Sequence, residues 1–531
     1  MGSNATGEYI FVEVKAKDKG GSISRGTKIS HALRRHHRAA RRELTRKHLA
    51  SRRAACAFPP HDAALPRRVQ VSPTPDVLQE HFAQLKHHDT EQGRVCELEL
   101  LQPLKLKALL GQGRLDPFNV YPAENICLYI HEVLDHAVKY TWPGVSPFGH
   151  PSSNQVARAW LGCAMANPVA FYSFVFAAGL HHAYEHGWDN IPNRAYGLLF
   201  SYKTKAISLV NEALQHIKTE TSDALLVSIL ILAAHGPRRI VVSEESREQH
   251  PLSPLANTQS IGFYGSLRFD GLHMDALRLL LARKGGLHTI QLYSLAETIG
   301  FGELLGSSEH LAPPTLPESF SCPTTIIPAV PDPVPINFFP CLQKRMVFRD
   351  LLPVLGDIAA ICKALSRFDN EKKGSPFFND MIRTRNTVQH RILSLPRRDF
   401  ILVSDHAIYE ACRLAAMIFG AMIIFPLPRA TNIKARLAGM LRWTLERLPS
   451  ELESTSQRQI LLWAFMLGAI AASNSKGDRD WYCMMIKKQS RLLGIEQWSD
   501  IQVMMNNHLW FDRVCDPPTQ KIWAGAMAVN D

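Results

Sequence analysis

From about residue 104 onward the apolar residues return every three or four positions. Ile126, Tyr129, Ile130, Val133, Leu134 and Ala137 do so, and Leu209, Ala213, Leu214 and Ile217 repeat the pattern. This is the period of an amphipathic α-helix, and the two-residue alternation of a half-buried strand is nearly absent. The expected fold is all-α, a large multi-helix body. With 531 residues, 46% of them hydrophobic, the chain can bury more core than a single lobe holds, so two or more helical lobes are expected. The clearest later helices are predicted at 405–424 and 459–472, and no internal repeat is found.

Proline divides the rest. Pro59, Pro60, Pro66, Pro73 and Pro75 interrupt any helix ahead of the body, which gives a basic arm over 1–60, a linker over 61–103 and the helical body over 104–531. Two segments inside the body read as exposed loops. One is polar 236–260, with Pro237, Pro251 and Pro254; the other is 312–340, with nine prolines.

Charge is as unevenly placed. Residues 1–95 hold 18 Lys or Arg against 9 Asp or Glu, so +9 of the chain's +12 lies in its first fifth and the remainder is close to neutral. Within 29–53, ISHALRRHHRAARRELTRKHLASRR, nine Lys or Arg face the single acid Glu43, with four histidines among them. An offset confined to one end meets something acidic, either nucleic acid or an anionic surface. On a helix Arg34, Arg38, Arg41 and Arg42 would share one face beside Ile29, Leu33, Ala40 and Leu44. Arg34, Arg35, Arg38, Arg41, Arg42, Arg46 and Lys47 are thus candidate DNA-phosphate contacts, giving affinity without sequence choice. The clusters Arg34-Arg35, Arg41-Arg42 and Arg52-Arg53 also suit nuclear import. The bland alternative is a solvated tail.

Ten cysteines show no paired spacing, so neither a disulfide framework nor a cysteine zinc site is expected, and a reducing compartment fits. The uncharged run Leu414–Pro428 has 15 residues, fewer than the roughly 20 of a bilayer crossing, and the start lacks the order of a signal peptide. No membrane association is expected. One rival remains: Met1-Gly2-Ser3-Asn4-Ala5-Thr6 fits an N-myristoylation pattern, which beside a polybasic arm would supply two membrane signals.

Catalytic signals are sparse. HAYEH at 182–186 matches H-x-x-E-H, in which His182 and His186 would bind zinc and Glu185 would serve as general base. The flanks read instead as a buried helix running into a turn, so the zinc hydrolase stands as a distant third reading. His131 and Asp135, one helical turn apart, read as a hydrogen-bonded face. Hydrolase-elbow, P-loop and dinucleotide motifs do not occur. No catalytic residue, metal or cofactor is expected, and an enzyme is not.

Asp116-Pro117-Phe118-Asn119-Val120-Tyr121-Pro122, Trp160 with FYSFVFAAGLHH, KTKAISLVNEAL at 203–214 and SDALLVSILILAAH at 222–235 follow one another along the body. In that order they resemble the fungal-specific transcription factor domain found C-terminal to the zinc cluster of many fungal regulators. His273-Met274-Asp275-Ala276-Leu277 through Arg283-Lys284-Gly285-Gly286-Leu287 is similar to the domain's "H..GL..M...RGGL" signature, with Lys284 inserted before the glycines. YEACRLAAMIF at 409–419, LLWAFMLGAIAA at 461–472 and WSDIQVMMNNHLWFD at 498–512 complete the series. Trp463, Trp498 and Trp510 are expected to fill core space, and Gly285-Gly286 to end a helix at positive φ.

Six cysteines beginning C-x₂-C would precede such a domain, but residues 1–95 offer only Cys56. The segment EYIFVEVKAKDKGGSISRGTKISHALRRHHRAARR resembles instead the N-terminus of members that lack the cluster. The resemblance implies a nuclear transcriptional regulator whose helical body meets co-regulators or a second copy. The alternative is a co-regulator that never touches DNA.

Overall fold

Short polar residues open the helices and glycines close several of them. The structure, a computed structural model, describes residues 121–528 apart from 124–125, 147–154, 192, 217–220, 239–252, 320–325, 327–341, 343–344, 368–375, 399–403, 449–453 and 474. All fall in one unit, Glu97–Asp531. The fold is all-α: among the described residues there is no strand, only an isolated antiparallel bridge between Arg238 and Leu267.

The first half holds α1 (Leu128–His136), which runs on through a π turn at Ala137–Thr141 and a last turn at Trp142–Val145. There follow α2 (Gln155–Ala166), α3 (Pro168–His186), α4 (Asn193–Gln215), α5 (Asp223–Ala234), α6 (Ile261–Ser266), α7 (Gly271–Lys284) and α8 (Leu295–His310). The second half holds α9 (Leu351–Arg367), α10 (Pro376–Ser394), α11 (Ser404–Phe419) with a π turn at Gly420–Ile424, α12 (Ile433–Leu445), α13 (Thr455–Ala471), α14 (Lys476–Leu493), α15 (Trp498–Asn506) and α16 (Asp512–Ala528). Ser222 caps α5 by accepting from the Leu225 N–H at 3.2 Å, and Ser454 with Gln457 forms a reciprocal capping box on α13. Such caps satisfy amides that a helix start leaves unpaired.

Among the described residues two large apolar clusters, and a small one of Ala183, Ile191 and Ala195, form the core. In the first, α3 is central: Phe171, Phe174 and Phe176 pack with Ile130 and Val133 of α1, Trp160 of α2, Leu199 of α4 and Leu226 of α5. In the second, Tyr409 to Phe419 of α11 and Ile460 to Ala471 of α13 are enclosed by α9, α12, α14 and α16. Each such side chain contributes about 1.5–3 kcal/mol on leaving water. Helix α8 belongs to both, with Leu295 and Ile299 in the first cluster and Phe301, Leu304 and Leu305 in the second.

The strings singled out in the sequence are structural joints. Gly285 sits at φ 108° and Gly286 at φ 107°. Their amides bond back to Ala282 O at 3.1 Å and Leu281 O at 2.9 Å, closing α7 in a Schellman motif. Lys284, the inserted residue, donates to Thr221 O at 2.8 Å and lies 3.3 Å from Asp223, tying the end of α7 to the start of α5. Trp463 is fully buried and donates to Leu509 O at 2.8 Å. Trp510 donates to Asp516 at 2.7 Å, and Trp498 is only partly buried against the second cluster.

One expectation needs correction. The polar segment 236–260 is not simply an exposed loop: of its described parts, 236–238 and 253–260, the second turns inward and buries Ser253, Leu255, Ala256, Thr258 and Gln259. Its polar side chains pair with interior groups rather than water, as Ser253 does with Ile423 O at 2.7 Å. The helix predicted at 405–424 is present: Asp405–Ile424 is one helical stretch of 20 residues with mean hydropathy 1.7, long and apolar enough to cross a bilayer, and its apolar window is buried inside the body. Of the proline-rich 312–340, residues 320–325 and 327–341 lie outside the described residues; Thr315 and Leu316 are pinned to the body through Glu303 and His390.

Candidate functional site

The middle of α10 reads TRNTVQ, which in sequence looks solvated, yet Thr384, Arg385, Asn386, Thr387 and Gln389 are all buried. Arg385 is completely enclosed, and among the described residues no carboxylate pairs with it. Its guanidinium donates to Thr258 Oγ1, to Gln259 Oε1, and to Asn386 Oδ1 at 2.6 and 3.1 Å. Its carbon lies 5.1 Å from the Phe425 ring centroid and 5.9 Å from that of Phe301. Neutral dipoles and two aromatic faces carry the charge. Burial alone lowers its pKa to about 9, so the group remains a cation at neutral pH.

The acceptor side is strained. Gln259 has φ 48° and ψ 32°, and Ser260 has φ 52° and ψ 34°, two consecutive left-handed residues that are not glycine. Such backbone costs ~1–2 kcal/mol per residue. It is held because Gln259 is engaged on three sides: it accepts from Arg385 and from Asn386 Nδ2 at 2.9 Å, and its Nε2 donates to Val145 O at 2.7 Å. Gln259 thereby joins the end of α1 to α10.

Beyond Ser260 the polar contacts continue through histidines. Ser260 Oγ lies 3.4 Å from His181 Nε2, and His181 Nδ1 lies 2.8 Å from His136 Nε2. The His136 ring meets the edge of the His182 ring at 5.1 Å, a packing contact rather than a hydrogen bond. His182 Nε2 pairs with the half-exposed Glu132 at 3.3 Å, which lowers the Glu132 pKa chiefly through that hydrogen bond. Burial pushes His136 down to about 3 and His181 to about 4, with neighbouring histidines adding to it. Both rings are neutral at pH 7. A line of polar groups thus leads from Glu132 to Arg385.

Serine, histidine and histidine in a row invite comparison with an acyl-transfer triad. The surroundings do not support it: His181 is 5% exposed and its ring stands edge-on to Phe263 at 5.0 Å, which leaves no room for an acyl group. The zinc reading of HAYEH also fails. His182 turns to Glu132, Glu185 is exposed, and His186 Nδ1 donates to His182 O at 2.9 Å. Among the described residues no group of three His, Cys, Asp or Glu side chains is placed to hold a metal ion. His131 stands edge-on to Tyr121, and Asp135 pairs with Lys139 at 2.8 Å. The buried thiols Cys362 and Cys515 are pushed up by burial, away from thiolate chemistry.

The arm residues Arg34, Arg35, Arg38, Arg41, Arg42, Arg46, Lys47, Arg52 and Arg53 lie outside the described residues, as do Gly2, Cys56 and the segment 116–120. Comparison with family models, curated proteins and solved structures finds no match. The likeness to fungal regulators rests on its residues alone.

Sequence reasoning placed His181 in a core helix and gave Gln259, Ser260 and Arg385 no role. A buried arginine without an acid leaves no periodic mark, because its partners stand 126 and 127 residues away.

Proposed function

We propose that the chain is a nuclear transcriptional regulator of the fungal type without a zinc cluster. Its helical body serves regulation and contacts with co-regulators or a second copy; its basic arm serves nuclear import and weak, non-specific DNA contact. One observation carries this reading: +9 of the net +12 is concentrated in residues 1–95, ahead of a nearly neutral body. Such partition suits a tethered cationic arm beside a module that works by shape and packing. A co-regulator that never touches DNA is the second reading, favoured by the missing cysteines.

Mapping chromatin occupancy with and without residues 1–60 tests it. Occupancy that depends on the arm is the expected result. A nuclear protein whose occupancy survives loss of the arm would favour the co-regulator, and a protein absent from chromatin in both forms would overturn the proposal.

A further inference from the structure

Where α1 widens into its π turn, the interior does not close. A cavity of about 40 Å³ is left between α1, α3, α5 and α8, walled by Trp142, Trp160, Phe174, Tyr264 and Phe301 among others. One water needs ~10–15 Å³, so the space holds a few water-sized units. π turns in helices recur at functional sites, because the extra residue redirects a side chain.

Two polar groups in this wall have no partner. Thr141, the last residue of the π turn, is 3% exposed and its Oγ1 makes no hydrogen bond; His235 is 3% exposed and its Nε2 makes none. The His235 partner on the other side fixes its chemistry. Nδ1 lies 2.8 Å from Ile231 O, a carbonyl that can only accept, so Nδ1 carries the proton and Nε2 offers a lone pair. Thr141 Oγ1 can both donate and accept. Buried polar atoms are almost always satisfied, and leaving two orphaned in one apolar cavity is costly.

We infer that this cavity is a binding site for a small neutral molecule with an apolar body and one hydroxyl, which donates to His235 or pairs with Thr141 while its apolar body lies among the aromatic walls. A cation is disfavoured: no acid lines the space, and Arg385 already stands against the Phe301 ring. An anion is disfavoured too, since the walls are apolar and the Arg385 donors are taken up elsewhere. The site touches the strained joint at two points, because Val145 and Phe301 line it while also contacting Gln259 and Arg385. This inference stands independently of the proposed nuclear role.

The test uses the purified full-length chain and two probes of similar shape, 1-butanol and 1-chlorobutane, titrated by calorimetry and by tryptophan fluorescence. Butanol is expected to bind saturably and weakly, at least ~3-fold tighter than chlorobutane, the worth of one net hydrogen bond. Thr141→Val and His235→Phe should each lower butanol affinity toward that of chlorobutane, with thermal melts confirming a folded chain. Equal binding of both probes would show an apolar hole without a hydroxyl site. Absence of saturable binding would show a cavity filled by water only. Either result overturns the inference, and both come from the unaltered chain, so neither depends on a variant folding.

Discussion

Arg385 and Gln259, 126 residues apart in sequence, are hydrogen-bonded in the interior with no carboxylate paired to Arg385 among the described residues. The pair is the point at which a strained backbone on one side and a buried cation on the other hold each other in place. Removing the acceptor leaves a buried cation short of partners, so Gln259→Ala should lower unfolding free energy by about 1.5–3 kcal/mol. Arg385→Met, which removes the charge itself, should cost less than the chain-length of its lost contacts suggests. The double variant should fall short of the sum of the two singles, as expected for groups in one network. Urea titrations of the three variants check this; strict additivity would mean that the contact carries no coupling.

Three histidines are held neutral by burial: His136 at about 3, His181 at about 4 and His235 at about 4. In the unfolded chain each takes up a proton near pH 6.5. Between about 6.5 and 4 the unfolded state therefore binds more protons, and stability present above pH 6.5 is lost as pH falls. Each histidine contributes a slope of at most ~1.4 kcal/mol per pH unit in that window. Unfolding midpoints at pH 7.5, 6.5, 5.5 and 5.0 should be level at the top and then drop. A flat series to pH 5 would contradict the burial of these rings.

Gly286, at φ 107° and ψ 179°, occupies backbone that side chains other than hydrogen do not tolerate. The nearest atom to an added Cβ is His288 Nδ1 at 3.5 Å, so any cost is backbone strain and not collision. Gly286→Val should destabilise the body by ~1–3 kcal/mol, read as a lower thermal midpoint. An unchanged midpoint would mean that the end of α7 rearranges freely.

For the arm, replacing Arg34, Arg35, Arg41 and Arg42 by Ala should shift a fluorescent fusion from nucleus to cytoplasm. Retained nuclear signal would remove the arm as import signal. Release from a membrane fraction on Gly2→Ala would instead establish the myristoyl rival.

Duplex DNA should be bound weakly, with little sequence preference. If about six arm cations meet phosphates, log K should fall with log salt at a slope near −5, and each Arg→Ala in the arm should reduce it by about one. Nanomolar, sequence-selective binding by full-length protein that survives loss of residues 1–60 would place readout in the helical body and overturn this account.

Helices were legible in the sequence wherever one face was apolar, as in Ile130, Val133 and Leu134, which are all buried. The Gly285-Gly286 stop was legible because positive φ has few other tenants. What stayed hidden depends on distant partners. Thr258 and Gln259 follow Pro251 and Pro254 in a polar stretch and look like loop; they are buried where they supply acceptors to Arg385. Likewise HAYEH has the spacing of a ligand pair, and only the folded chain shows that Glu132 claims His182.

Helix α8 gives its first turns to one apolar cluster and its later turns to the other. The halves of the body are therefore not tenants of separate rooms but share a wall. Cutting the chain just before Leu295 would strip the first half of Leu295 and Ile299; cutting past His310 would leave Phe301, Leu304 and Leu305 on the first half with nothing to cover them. Neither fragment has a finished surface. Melting of one cluster would uncover the turns of α8 that the other also needs, so the two are expected to lose their packing together.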